Sequence, residues 1–575
     1  LPEYQNPQQE PGTERRLLIV FALTFLVIIL SQPILKKYMP QPPAQPQQVS
    51  QPAPVTNASV AAAAPAPVAP SAAQQAASES ETVIENDLYR ITFSNRGAQV
   101  KSWILKKFAA DQGGPLDLVN KESEKFGQPL ALWVYDGTLR DKVNSVLYVA
   151  SAQGTQQAPS ELSFEYSDAD VSVRKTFRFN RTYEIHVDTL VVSKGSQITA
   201  FPLWPAGFGD STRPAAYGSS QIEYQNNGSV ERLAIKKISG GNTLPGPFNW
   251  AAVTDQYFTV VFIPENVLGT ALLTLHNTMD VPKNPQKPDP KETQPVPVLG
   301  AAVGSLVGPT SLRMYVGPKS LDTLEAVSIP TISGASQDLR GIVNFGFFNI
   351  IARPLFQWLK WTHAHIVANW GWAIVIQTLI INIVLLPLRI YQMKSALKMQ
   401  KIQPQIKAIQ EKYKKYSMRD PKKQEMQKEI WDLQQREGVN MFGGCLPMLI
   451  QLPFLFAYYS MLNASIDLRH ASWGWIHDLS APDPYWLLPI SMVVSMLVMQ
   501  RMTPTPGIDP AQQKMMMWMM PLMMGYIFFN LAAGLNLYYA ESNLISVAQQ
   551  LVMNRSSLGQ QMRELAAKRA RKKDK

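Results

Sequence analysis

Four polar residues interrupt the most apolar stretch of the chain, WGWAIVIQTLIINIVLLPLRIYQ at 370–392: Gln377, Thr378, Asn382 and Arg389. Thr378, Asn382 and Arg389 stand at i, i+4 and i+11, close to one helical face. Near the end of the chain Asn536, Tyr539, Asn543, Ser546 and Gln550 step by 3, 4, 3 and 4, a second continuous stripe. Gln451 with Tyr458, and Ser491 with Ser495, supply shorter ones. These side chains are amides, hydroxyls and one guanidinium. They include no nucleophile with its base, no H-E-x-x-H, no phosphate loop and no carboxylate pair. The chemistry they suit is solvation: hydrogen bonding to a polar segment at a depth where lipid offers none. A polar face on a membrane-length helix points at a cavity or at partner helices. Gluing helices together is the plainer use, worth about 0.6–2 kcal/mol per contact. The number of stripes exceeds what gluing needs. Glu541 is the one acid inside an apolar run, about 200° around the helix from Tyr539 at 100° per residue.

The elements that must position these stripes follow from length and charge. The run at 370–392 exceeds the roughly 20 residues needed to cross a bilayer. Four further spans are expected near 441–462, 485–500, 515–530 and 534–553. Between the first two, Ile402, Ile406, Ile409, Tyr413 and Tyr416 alternate steps of four and three, and Met426, Ile430 and Leu433 resume the rhythm. Asp420 before Pro421 marks a helix start. The spacing predicts an antiparallel helical hairpin over 393–438 with a narrow seam. Thirteen basic and 6 acidic residues between Arg389 and Glu437 place it in the cytoplasm. The connector 463–484 has a net charge of −2, 501–514 of +1, and the tail 555–575 of +6. Five spans satisfy that alternation, with the tail inside. Pro387, Pro447, Pro453, Pro489 and Pro521 kink or end these spans and suit a deformable, partly hydrated bundle. Seven methionines in KMMMWMMPLMM (514–524) suit an adaptable apolar surface or gap-filling in a helix core.

The N-terminal half differs in kind. Residues 17–35 form an apolar run flanked by basic pairs, longer than a signal-peptide core, and read as an uncleaved anchor. Residues 36–81 are Pro-, Ala- and Gln-rich, a linker that cannot bury a core. From 82 to 335 short alternating segments such as VSVRKTFRF and EIHVDTLVV, bounded by turn residues, predict an all-β sandwich. Counting spans backward places this domain outside the membrane and the N-terminus inside. His186 and His276 sit in or beside strands and read as structural. Residues 341–361 predict an amphipathic helix in the membrane interface, anchored by Trp358 and Trp361. His363 and His365 lack a third metal ligand, and Cys445 is the only cysteine, so no internal disulfide and no metal or other cofactor is expected.

Four separated motifs carry a resemblance: GGCLPMLIQLPFLFAYYSML (443–462), WIHDLSAPDPYWLLPI (475–490), QQKMMMWMMP (512–521) and GLNLYYAESNLISVAQQ (534–550). Together, and in this order, they resemble the YidC family of membrane protein insertases over about 340–555. The match extends more loosely over the anchor and the β domain, which resembles the supersandwich of the Gram-negative members. The resemblance implies a non-enzymatic insertase and chaperone of the bacterial inner membrane, with an anchor, a periplasmic β domain and a five-helix core over 370–553. It implies a hydrophilic groove open to the cytoplasm and lipid, in which Thr378 and Tyr539 are groove residues. Gln377, Asn382, Gln451, Asn536, Asn543 and Ser546 would complete that groove. Pro453 and Leu455 would lie on a client-contacting span, and Trp475 matches the family's exterior tryptophan. The hairpin and the basic tail (554–575) would meet the ribosome and the targeting receptor, and the Sec translocon is a further expected partner; DNA is not. The family carries a groove arginine where this chain has Asn382, and Arg389, seven residues on, is expected to snorkel to the interface. Two other readings stay open: a solute transporter or channel built on the same polar faces, and a membrane-anchored sugar-binding or sugar-processing protein.

Overall fold

The computed structural model describes residues 73–564, apart from 112, 211–213, 227, 234, 284–288, 290, 331–335, 417–419, 439–445, 503–509, 558 and 562–563. The expected anchor (17–35), nearly all of the linker, Cys445 and most of the basic tail lie outside the described residues.

Alternation builds the β part. In Val171–Phe179 every second residue is buried, and strands of this kind pair into a long antiparallel sheet. Its centre runs Trp250–Thr254, Phe258–Pro264, Thr310–Pro318, Glu184–Ser193, Val171–Phe179 and Ser160–Ser167. Two five-stranded sheets complete the sandwich, one around Tyr89–Ser94, the other around the paired 13-residue strands Thr270–Pro282 and Thr293–Ser305. Lys175 occupies an inward position of its strand and is 1 % exposed. Its ammonium donates to the carbonyls of Gly97 (2.7 Å), Ala98 (3.0 Å) and Leu130 (2.9 Å), which is what lets a charge sit among apolar neighbours. His276 Nδ1 donates to the Ile238 carbonyl, 2.8 Å away, and His186 faces Glu265.

Among the described residues the helical part has eight principal helices. Helix α1, Asn349–His365, buries Ala352, Leu355, Phe356, Leu359 and Thr362, one stripe of its surface. It starts later than the expected 341–361 segment. Asp338 and Asn344 accept backbone N–H groups there and tighten the chain into 3₁₀ turns at Leu339–Ile342 and Gly346–Phe348. Helix α2, Trp370–Val384, is capped by Asn369, whose side chain accepts from the Trp372 N–H. The single span expected over 370–392 is instead broken at Leu385. Pro387, with no N–H and a ring that clashes with the preceding turn, starts a new helix α3, Leu386–Lys412, bent by 45°. Helix α4, Pro421–Arg436, packs back on α3 through Ile402, Ile406 and Ile430, flanked by Met399, Ile409, Met426 and Leu433. Helices α5 (Leu446–Ala464), α6 (Leu487–Met502), α7 (Pro510–Phe528) and α8 (Ala533–Arg555) follow. Taken singly, no described helix combines 18 residues with the hydropathy of a membrane span, but α2 joined to the start of α3 does. Rows of large apolar side chains face outward: Ile490, Val494 and Val498 on α6, and Trp518, Leu522 and Tyr526 on α7. Met519 and Met523 belong to that outward surface, whereas Met524 packs against the core.

The β part meets the helices at a cluster around Arg469, in the turn after α5. This guanidinium donates to the Ala109 carbonyl (2.9 Å), to Asp111 (3.0 Å) and to the Asp210 carbonyl (3.1 Å). The adjoining cavity, about 450 Å³, is lined by Asp111, Asp210, Asp255 and Asp478. Burial pushes the Asp210 carboxyl well above its ordinary range, and the facing Asp255 adds to it, while Arg469 only partly offsets them.

Candidate functional site: a polar seam between α2 and α8

The α2 stripe is buried within the bundle: Gln377 and Thr378 are fully covered, and Asn382 nearly so. Gln377 donates to the Leu355 carbonyl of α1 (2.9 Å) and accepts from the Tyr458 hydroxyl of α5 (2.6 Å). Tyr458 in turn stacks on Tyr538 of α8, centroids 4.0 Å apart. Thr378 donates to the Ile374 carbonyl one turn back (2.7 Å), leaving its oxygen lone pairs turned toward α8. Asn382 donates to the Thr378 carbonyl (2.9 Å) and to Ser542 (3.3 Å), while Gln549 donates to the Asn382 carbonyl (3.2 Å). Helices α1, α2, α5 and α8 thus close around one line of amides and hydroxyls.

Arg389 does not run out to the interface as its sequence position suggested. The bend at Leu385 turns the first residues of α3 back, and Arg389 Nη2 lies 3.3 Å from Asn382 Oδ1. A cation therefore reaches the polar seam from one helix further along.

The expected site residues separate into two groups. Gln377, Thr378, Asn382 and Tyr458 come together. Asn536 instead seals the turn between α7 and α8, donating to the carbonyls of Phe528 (3.1 Å) and Leu531 (3.2 Å). Tyr539 meets Phe528 edge-on, centroids 4.9 Å apart, with its hydroxyl buried and lacking a partner among the described residues. Ser546 is buried and donates to the Ser542 carbonyl, and Asn543 is half-buried. The Gln451 side chain lies outside the described residues. Ser491 and Ser495 donate to carbonyls of their own helix, at Leu488 and Met492. Pro453 and Leu455 are half-buried on α5, beside the exposed Phe456. Trp475, in the loop before α6, donates to Asp483 (3.1 Å), which also accepts the N–H groups of Tyr485 and Leu488.

Sequence reasoning passed over Tyr538, Ser542 and Gln549, and set Glu541 off the polar stripe. Tyr538, Ser542, Ile545 and Gln549 stand at i, i+4, i+7 and i+11, a mostly polar row one residue out of phase with the expected stripe. That row, and not the one through Tyr539, faces α2. Glu541 adjoins Thr378, so it also belongs to the seam. Four side-chain atoms of α8 are buried with no partner among the described residues: Asn536 Oδ1, Tyr539 OH, Glu541 Oε2 and Gln549 Oε1. Such groups are rare in settled cores, where buried polar atoms find partners. They are capacity for bonding something else.

Known proteins match the two halves separately. The model of the 60Kd inner membrane protein family matches residues 361–560, and that of the YidC periplasmic domain matches 81–358. A relative called membrane protein insertase YidC, from Geobacter sulfurreducens, is 32% identical over 491 residues, covering 81% of this chain and 85% of the relative. The chain belongs to the YidC membrane protein insertase family. A second relative of that name, from Cupriavidus necator, is 32% identical over 524 residues and 86% of each chain. Among solved structures, an active YidC insertase with its first transmembrane domain resolved aligns at a TM-score of 0.35 and 20% identity, over 84% of this chain and 95% of that one. The β part is accordingly the periplasmic domain of an inner-membrane protein, and the helices from α2 onward fall within the match to the 60Kd inner membrane protein family.

Proposed function

We propose that the protein inserts nascent membrane proteins into the inner membrane, and that the α2–α8 seam is where a client's polar flank is held during crossing. The observation that carries this reading is the buried line of hydrogen-bonding groups with unspent capacity on α8, inside a bundle whose outer surface is apolar. A polar flank entering hydrocarbon loses its water, at a cost of roughly 2–7 kcal/mol per unpaired amide or hydroxyl depending on reference state. Amides and hydroxyls of the seam replace part of that hydration. The apolar segment that follows gains a few tenths of a kcal/mol per Leu, Ile, Phe or Val, roughly 0.3–0.6, on moving into lipid. That gain supplies the drive, so no catalytic chemistry is required. Pro453 and Leu455 on α5 lie on the wall along which such a segment would slide.

In this reading the chain is multi-pass, with both termini in the cytoplasm. The α3–α4 hairpin and the basic tail face the ribosome and the targeting receptor. Positive charge suits the anionic phosphates of ribosomal RNA. The protein works alone or beside the Sec translocon. Purified full-length protein in liposomes, supplied with a ribosome-synthesised single-span client, should convert the client to a protease-protected form. Solute or ion flux through the same vesicles without client protection would favour a channel instead.

A further inference from the structure

Among the described residues Glu541 is the one carboxyl group on the seam, and the polar stripe expected on α8 does not include it. It lies on the face of α8 that meets α2, beside Thr378. The Thr378 hydroxyl is within hydrogen-bond reach of the carboxyl and also donates to the Ile374 carbonyl, and the Tyr458 hydroxyl donates to Gln377. Glu541 Oε2 is left buried with no hydrogen-bond partner among the described residues. The nearby cation does not fill this place: Arg389 Nη2 lies on Asn382 Oδ1, one helical turn beyond Thr378. A carboxyl group with one buried oxygen unpaired is costly at membrane depth and persists where a cavity brings it a partner.

We propose that Glu541, with Thr378, forms an acceptor subsite that takes the cationic flank of a client: a lysine, an arginine or a terminal amine. This rests on the seam being the insertion site and adds which flanks it favours. A passing ammonium or guanidinium brings both the missing donor and the opposite charge. An acidic flank meets repulsion at Glu541 that Arg389 only partly offsets, because the guanidinium is engaged one turn away.

The test uses full-length protein in liposomes with three clients that differ only in the translocated flank: two lysines, two aspartates or two serines. Glu541→Gln should lower insertion of the lysine client relative to the serine client by about tenfold, the scale of one charge pair in a partly dry site. It should raise the aspartate client relative to the serine client, and Glu541→Asp should restore the lysine preference. Equal changes for all three flanks, or none, would overturn the proposal. Should the variants not accumulate, carbodiimide coupling in the unaltered protein decides: a zero-length link between Glu541 and the client lysine is expected, and its absence overturns the subsite. Unaltered protein that inserts none of the clients refutes insertion itself. Insertion of all three with the variants unmoved refutes only the role of Glu541.

Discussion

Arg469→Gln should loosen the periplasmic domain from the helical core. The Arg469 side chain is 4% exposed and bonds three groups of the β part: the Ala109 and Asp210 carbonyls and the Asp111 carboxylate, which is itself 21% exposed. Removing one partner of a buried ion pair costs about 3–5 kcal/mol. Asp111 keeps some solvent, which lowers that share, while two carbonyls lose a charged donor worth roughly 1.5–3 kcal/mol each. A loss of about 3–5 kcal/mol is therefore expected at neutral pH, read as thermal and denaturant unfolding of the full chain in detergent. The pH dependence gives a second reading. The folded-state pKa of Asp210 is raised by burial and by Asp255, so the folded protein binds more protons there than the unfolded chain. Stability from this group is fully present below the ordinary carboxylate pKa and is lost as pH rises through the raised value. Asp210→Asn should flatten that decline and leave the protein more stable than the parent at neutral pH, and Arg469→Gln should steepen it. An Arg469→Gln variant within about 1 kcal/mol of the parent, with an unchanged pH slope, would refute this account of the joint.

Three further perturbations follow from particular contacts. Lys175→Met strips three buried carbonyls of their donor and should lower stability by about 3–5 kcal/mol, seen as early loss of tryptophan fluorescence from the β domain. A side chain at Gly371 would put its Cβ 2.3 Å from the Trp473 ring, so Gly371→Ala should displace α2 from the loop before α6 and expose that loop to protease. Asn382→Leu removes the contacts to Ser542 and Arg389, and should reduce insertion of clients with polar flanks of every charge while costing only about 1 kcal/mol of stability; equal insertion by the variant would contradict the seam's role.

Periodicity made much of this legible. The α2 stripe, the seam of the α3–α4 hairpin and the alternation of the β strands each repeat over many residues, and each packs as its period requires. Rotation about the α8 axis was not legible, because two adjacent rows of that helix are both polar. The stack of Tyr458 on Tyr538 and the close approach of Gly534 to the Leu479 carbonyl choose between them, and both are tertiary contacts. Pro387 was visible, but whether it ends a helix or merely kinks it depends on its surroundings. The return of Arg389 to Asn382 follows from that bend. The Arg469 cluster joins residues near 110, 210, 255 and 469, which no local pattern connects.

Site-specific photocrosslinking to a ribosome-bound client tests the central claim most directly. A photoreactive residue at Asn382 or Ser542 should label the client's polar flank at one chain length, and the label should fade as the apolar segment moves into lipid. Probes at Tyr539, which faces Phe528, should label less. Labelling confined to the outward row of Met519 and Leu522 on α7, with none from Asn382 or Ser542, would mean that the polar seam only holds helices together and that clients travel elsewhere.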